Sequence, residues 1–123
     1  MKKILIYNLL LLFILVGCSS AIHTNPTARS ILKEDSRADI LQYNQLIYIN
    51  ATNLKIDGKA EFTKDEKLGE IMKTTTSSKN FKDFFATQLP IGTEIYSTND
   101  NNTYTIIAKV NGKEILYTVL LEG

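Results

Sequence analysis

Apolar residues fall into three patterns along this chain. The first is a continuous run from Ile4 to Val16, broken only by Tyr7 and Asn8. The second is near-alternation of apolar and polar positions in short segments rich in β-branched and aromatic residues, the period expected of half-buried strands. The third is local: Phe81, Phe84, Phe85 and Leu89 recur at the spacing of one helix face.

The most regular alternation lies in Tyr104 to Leu121, where two segments meet at Asn111-Gly112. Both turn residues tolerate the positive φ that a two-residue type I′ turn needs. That turn sets Val110 opposite Lys113, Lys109 opposite Glu114, Ala108 opposite Ile115, Ile106 opposite Tyr117 and Tyr104 opposite Val119. The face carrying Tyr104, Ile106, Ala108, Ile115, Tyr117 and Val119 is then the core face. A second hairpin is expected from Ile40–Tyr43 and Leu46–Ile49 around Asn44-Gln45. Asn50 to Thr63, with Asp57-Gly58, reads as a connection holding a short strand or turn. Lys67 to Thr74 reads as one strand, and Thr75 to Asn80 as a polar loop. Thr93 to Ser97 reads as another strand, entered through the turn Leu89-Pro90-Ile91-Gly92.

The phenylalanines predict a short helix that ends before Pro90, because proline disfavours helical geometry in the residue ahead of it. They form either an exposed ledge for a ligand or a plug for the open end of a small sheet. Ser19 to Arg37 has no sustained apolar period and reads as a tether, with a helical patch over Ser30–Arg37 that nothing requires to pack. The expected fold is α+β but mostly β: a small antiparallel sheet of hairpins with one short helix.

The apolar run of the N-terminus is shorter than the roughly 20 residues a spanning helix needs. It follows Lys2-Lys3 and leads into Leu15-Val16-Gly17-Cys18, which looks like a bacterial lipobox. Charged start, apolar core, small residue and cysteine together predict a cleaved signal peptide. Cleavage between Gly17 and Cys18 would leave a diacylglycerol on the Cys18 thiol and a free amine open to a further acyl chain. Two or more chains hold a protein to a bilayer where one is marginal. The expected organisation is a signal peptide over residues 1–17, a lipidated N-terminus and flexible tether over 18–38, and a single β-rich domain over 39–123.

Lys2 and Lys3 are among the chain's 14 basic residues, against 13 acidic ones, so the processed chain is close to neutral. Neutrality gives no charge asymmetry to pull in nucleic acid or anionic lipid. Cys18 is the only cysteine, and acylating it leaves no disulfide to stabilise the exported domain. His23, the only histidine, falls in the tether, and the run Asn99, Asp100, Asn101, Asn102 lacks the spacing and charge of a calcium loop. No metal or cofactor is expected. No serine, cysteine or lysine sits in a nucleophile motif. Carboxylates such as Glu66, Glu70, Asp83 and Glu94 offer acid–base groups with nothing to place two of them across a cleft. The chain is therefore expected not to be an enzyme, and Tyr43, Tyr48, Tyr96 and Tyr104 are the candidate ligand-binding residues.

Tyr43-Asn44 with Tyr48, Leu68-Gly69-Glu70-Ile71, Leu89 to Tyr96 and Val110-Asn111-Gly112-Lys113 together resemble a group of small Gram-positive surface lipoproteins. They are more distantly similar to the lantibiotic immunity lipoproteins of the subtilin and nisin type. Gln45 departs from the Asn-Gly pattern usual at the first turn. The resemblance implies a lipid-anchored domain on the extracytoplasmic face of the cell membrane, and for the immunity branch a non-catalytic factor that captures a membrane-active peptide. The alternative is a structural or accessory subunit of a cell-envelope complex.

The hairpin itself is testable. Gly112→Val forces a β-branched side chain into positive φ and is expected to lower stability by about 1–3 kcal/mol. A lowered urea midpoint with an unchanged slope would register it; an unchanged midpoint would argue against the turn.

Overall fold

The Asn111-Gly112 turn forms as the sequence predicts, with φ of 52° and 76°. It joins Thr105–Val110 to Lys113–Val119 in the expected register, from Val110 opposite Lys113 to Ile106 opposite Tyr117. Asn44 and Gln45, at φ 51° and 64°, close the hairpin of Ile40–Tyr43 and Leu46–Asn50 in the same way. The computed structural model describes residues 25–56, 58–100 and 103–121. The expected signal peptide with Gly17, Cys18 of the lipobox-like motif, and His23 lie outside the described residues.

In chain order the elements are α1 (Ala28–Glu34), β1 (Ile40–Tyr43), β2 (Leu46–Asn50), a 3₁₀ turn (Lys59–Glu61), β3 (Lys64–Glu70), β4 (Lys73–Thr74), β5 (Phe85–Ala86), β6 (Glu94–Thr98), β7 (Thr105–Val110) and β8 (Lys113–Val119). The strands form one sheet in the order β3-β6-β7-β8-β2-β1-β5-β4, all pairs antiparallel except β4 with β5. The fold is mostly β with one α-helix among the described residues.

Burial follows the period-2 alternation. Leu41, Tyr48, Ile95, Ile106, Ala108 and Tyr117 point into the main core, joined by Ile71, Ala86 and Leu89. Tyr104, expected on this face, is instead 50% exposed, because β7 begins one residue later. On the other face of β1 and β2, Ile40 and Ile47 meet Ala28 and Ala38, with Ile31, Leu32 and Phe81 packed around them. This two-sided burial explains why both strands are nearly continuous in apolar residues.

α1 is therefore a packed element, which corrects the reading of residues 28–38 as part of a flexible tether. Thr27 and Ser30 form a capping box: the Ser30 N–H donates to Thr27 Oγ1 at 3.2 Å and the Thr27 N–H to Ser30 Oγ at 3.0 Å. A helix of seven residues is unstable alone, so its contact with β1 and β2 sustains it.

The helix expected from Phe81 to Leu89 is absent. Asn80 and Phe84 have φ of 59° and 65°, and the Phe84 N–H donates to Gln42 O at 2.7 Å rather than back along its own segment. Pairing with β1 has overridden the spacing of the phenylalanines. Thr87 extends that pairing: its N–H donates to Ile40 O, and its hydroxyl donates to Ala38 O and accepts from the Ile40 N–H. Leu89 and Ala86 do turn inward, while Phe85 packs edge-on against Phe81 at 5.9 Å on the outer face.

The strand expected over Lys67–Thr74 divides in two, and its halves lie at opposite ends of the sheet order. Only Ile71-Met72 separates β3 from β4. Ile71 bonds to Thr93 O and to the Gly92 N–H, on the β6 side, while the Met72 N–H donates to Phe84 O, on the β5 side. The sheet is thereby curled until its two ends meet. Phe84 occupies the seam: its ring lies against Gly69 so closely that a Cβ there would stand 2.6 Å from Cζ, and it meets Tyr43 at 5.6 Å between ring centres.

Gly69→Ala is expected to lose about 1–3 kcal/mol of stability, the range for overpacking. In a Phe84→Ala background most of that loss should vanish. Urea unfolding of the two single variants and the double variant measures the coupling, and strictly additive losses would show that the ring is not the obstacle.

Candidate functional site

The four candidate tyrosines do not converge on one surface. Tyr48 is completely buried, and its hydroxyl donates to Thr103 O at 2.5 Å. Tyr43 is half-buried between the rings of Phe84 and Tyr48. Tyr96, on β6, is half-buried with the Lys64 ammonium 4.8 Å from its ring centre. Only Tyr104 is well exposed. Tyr43 and Tyr48 touch each other, yet as parts of the core and its margin.

Tyr117, placed on the core face by its register, is a second buried phenol. Its hydroxyl donates to Asp39 Oδ1 at 2.8 Å, and Asn50 Nδ2 donates to the other carboxylate oxygen at 2.8 Å. Asn50 Oδ1 in turn accepts from the N–H and hydroxyl of Thr52. One carboxylate thus ties β8, the start of β1 and the end of β2 together. Its signal in the sequence is weak, since nothing in the spacing of Asp39, Asn50 and Tyr117 announces that they meet.

Clefts on the surface are shallow or already occupied by structural contacts. One of about 390 Å³ lies between the 3₁₀ segment and the outer face of β7 and β8, lined by Phe62, Ile107 and Leu116 among others. Its cation, Lys59, gives all three ammonium donors to the carbonyls of Ala51, Thr52 and Leu54, so it holds the loop rather than offering charge. Its acid, Glu114, lies 3.8 Å from Lys64. Another of about 420 Å³ is bordered by Gln42, Gln45, Met72, Lys82, Asp83 and Phe84. There Asp83 accepts from the Gln42 side chain and the Gln45 N–H, both at 3.0 Å, which fixes the first hairpin turn.

Among the carboxylates weighed as acid–base groups, Glu70 and Glu94 are brought together as register partners on β3 and β6. The Lys67 ammonium sits between them, 3.1 Å from Glu94 and 3.7 Å from Glu70. Its hydrogen bond lowers the pKa of Glu94, opposite to the elevation a general acid needs at neutral pH. Glu66 is exposed, and Asp83 lies with the first hairpin turn. Among the described residues no three histidine, cysteine or acidic side chains gather as metal ligands.

The feature that stands open to a partner is the edge of β3. This strand pairs with β6 on one side only. Its ladder shifts register between Lys64 and Lys67 and again before Gly69, and the Glu66 N–H donates to Ser97 Oγ at 2.9 Å across the irregularity. Asp65, Glu66 and Glu70 are exposed along it, with Glu61 exposed just ahead. Four carboxylates against Lys64 and Lys67 make it acidic, and both lysines are already engaged, by Glu114 for Lys64 and by Glu70 and Glu94 for Lys67.

No family model, curated protein or solved structure matches the chain. Among the described residues no helix is long and apolar enough to cross a membrane.

The buried phenols make stability fall in alkali. Burial, with smaller contributions from Tyr43 and Asp83, pushes the Tyr48 pKa from 10.0 up to about 12. Burial first, then the charge and hydrogen bond of Asp39, pushes Tyr117 upward as well. Below pH 10 the folded and unfolded chains both keep these protons and stability is at its full value. Between pH 10 and 12 the unfolded chain ionises first, so Tyr48 alone removes about 1.4 kcal/mol per pH unit. Urea midpoints at pH 8, 10 and 11 are expected to fall less steeply for Tyr48→Phe than for the unaltered chain. Parallel pH profiles would contradict the assignment.

Proposed function

We propose that this chain is a lipid-anchored, extracytoplasmic binding factor, non-catalytic, that captures a cationic membrane-active peptide along the acidic edge of β3. The observation that carries the reading is that edge: an end strand with one side unpaired and the exposed carboxylates of Asp65, Glu66 and Glu70 along it. An extended peptide adds to such an edge through main-chain hydrogen bonds, with side chains setting the specificity. Membrane-active peptides concentrate lysine and arginine on one face, the charge this strand attracts.

The proposed location rests on the lipobox-like Leu15-Val16-Gly17-Cys18 after its apolar run. Anchoring at Cys18 would keep the binder at the membrane its ligand attacks, raising the effective concentration of one for the other. Tyr96 adds an aromatic surface beside the edge, since its strand, β6, is the one that pairs with β3.

Cells carrying the protein are expected to survive a panel of cationic membrane-active peptides at concentrations that kill cells without it. Cys18→Ser should abolish the protection and leave no protein in membranes washed with high salt, which strips peripheral contacts and not an acyl anchor. Asp65→Asn with Glu66→Gln should reduce protection while leaving the protein in that washed fraction. Equal sensitivity of all strains to every peptide would remove the peptide-capture reading, and retention of Cys18→Ser through the salt wash would remove the anchor.

A further inference from the structure

The chain is nearly neutral as a whole, yet the fold sorts its charge. Six cations, Arg29, Lys33, Arg37, Lys73, Lys79 and Lys82, lie on or just after α1 and on β4 and the segment that follows it. All six are exposed, and none makes a salt bridge with a described residue. Residues 71–82 contain no acid. On the helix side the counter-charges are Glu34 and Asp35, and Asp35 accepts the Arg37 N–H at 3.0 Å. The lysines of β3 and the 3₁₀ turn are, by contrast, all engaged.

Packing brings Arg29, Lys33, Lys73 and Lys82 around α1 and the β4–β5 connection. Arg29 and Lys33 border a cleft of about 400 Å³ whose opposite wall is Thr76, Ser77 and Ser78. Phe81 packs against the cluster beneath α1 and touches Phe85. The ammoniums of Lys73 and Lys82 each stand 5.6 Å from the centre of the Phe85 ring. Their stems cross an apolar patch while their charges stay in water.

We infer that the surface of α1 and the β4–β5 connection docks on anionic phospholipid, laying the domain against the bilayer. The inference rests on the membrane-anchored reading above. α1 is the first element among the described residues, and the ten residue steps from Cys18 to Ala28 reach at most roughly 35 Å. An acylated Cys18 would thus hold this face, ahead of any other, near the headgroups. A plane of phosphates engages several dispersed cations at once, which suits a spread of lysines and arginines around a hydroxyl-lined cleft better than a single small anion does.

The test uses the processed chain from residue 18 with Cys18→Ser, which keeps every core residue, since these lie between Ala28 and Tyr117. It therefore reads docking without acylation, and its failure would leave the Cys18 fractionation result untouched. Sedimentation with vesicles of phosphatidylglycerol and phosphatidylcholine should show binding that weakens with salt, and vesicles of phosphatidylcholine alone should show little. Neutralising a cation near the surface costs roughly fivefold in partitioning. Arg29→Gln with Lys33→Gln, and separately Lys73→Gln with Lys82→Gln, should each lower it by about tenfold or more, with unchanged thermal midpoints. Lys109→Gln with Lys113→Gln, the same charge change on β7 and β8, should not. Equal binding to neutral vesicles, or an equal loss in the β7–β8 variant, would overturn the inference. So would displacement by inorganic phosphate beyond that of sodium chloride at the same ionic strength, since it would mark a discrete phosphate site.

Discussion

A sheet of eight strands has two ends, and the rest of this structure depends on how the chain joins them. The junction is two residues long. Ile71 bonds to the turn ahead of β6, Met72 bonds to Phe84 ahead of β5, and the main core lies inside the curl that results. β3 and β4 remain the end strands of the sheet, but the junction holds them near each other, and Tyr48 and Tyr117 are buried in the core. Gly69 and Phe84 set the fit. The ring fills the seam that a side chain on residue 69 would otherwise occupy, and Phe84 takes a positive φ to reach it. Strain of that kind persists only where surrounding contacts over-determine it, here the Gln42 carbonyl, the Tyr43 ring and the Met72 N–H.

What was legible in the sequence follows from this division between local and distant causes. The β7–β8 register was readable down to individual pairs because Asn111-Gly112 fixes the turn and the alternation fixes the faces, both within a few residues. The split of Lys67–Thr74 was not, because the residues that capture Ile71 and Met72 are Thr93 and Phe84, which no local pattern connects to them. The phenylalanines misled for the same reason. Spacing of three and four residues is shared by a helix face and by a turn-and-strand segment that sends Phe84 and Leu89 inward and Phe85 outward. α1 was undervalued because its apolar positions are few: Ala28, Ile31 and Leu32 make its contact with the cluster of Ala38, Ile40 and Ile47.

The binding site was less legible than the fold. Tyrosine was a reasonable marker of contact surface, but Tyr48 and Tyr117 have carbonyl and carboxylate partners waiting inside, and a hydroxyl so satisfied is buried at little cost. Which tyrosines have such partners is settled by topology. Charge was misread by summation in the same way. A chain with nearly equal numbers of acids and bases still presents a basic surface, with cations in excess of acids, and an acidic edge once folding has placed them on different elements.

The acidity of β3 also bears on how an open edge avoids pairing with a copy of itself. An exposed strand invites a second copy of itself, and proteins commonly blunt that tendency with charge. Two copies of this edge would set Asp65 and Glu66 among like charges and strip water from them. The same carboxylates lower the barrier for a strand that brings lysine or arginine, because it replaces the lost water with opposite charge. The bulges on either side of Lys67 shorten the regular stretch open to either kind of partner. An edge built this way discriminates by charge before it discriminates by shape, which is the selectivity that the proposed capture of cationic peptides requires.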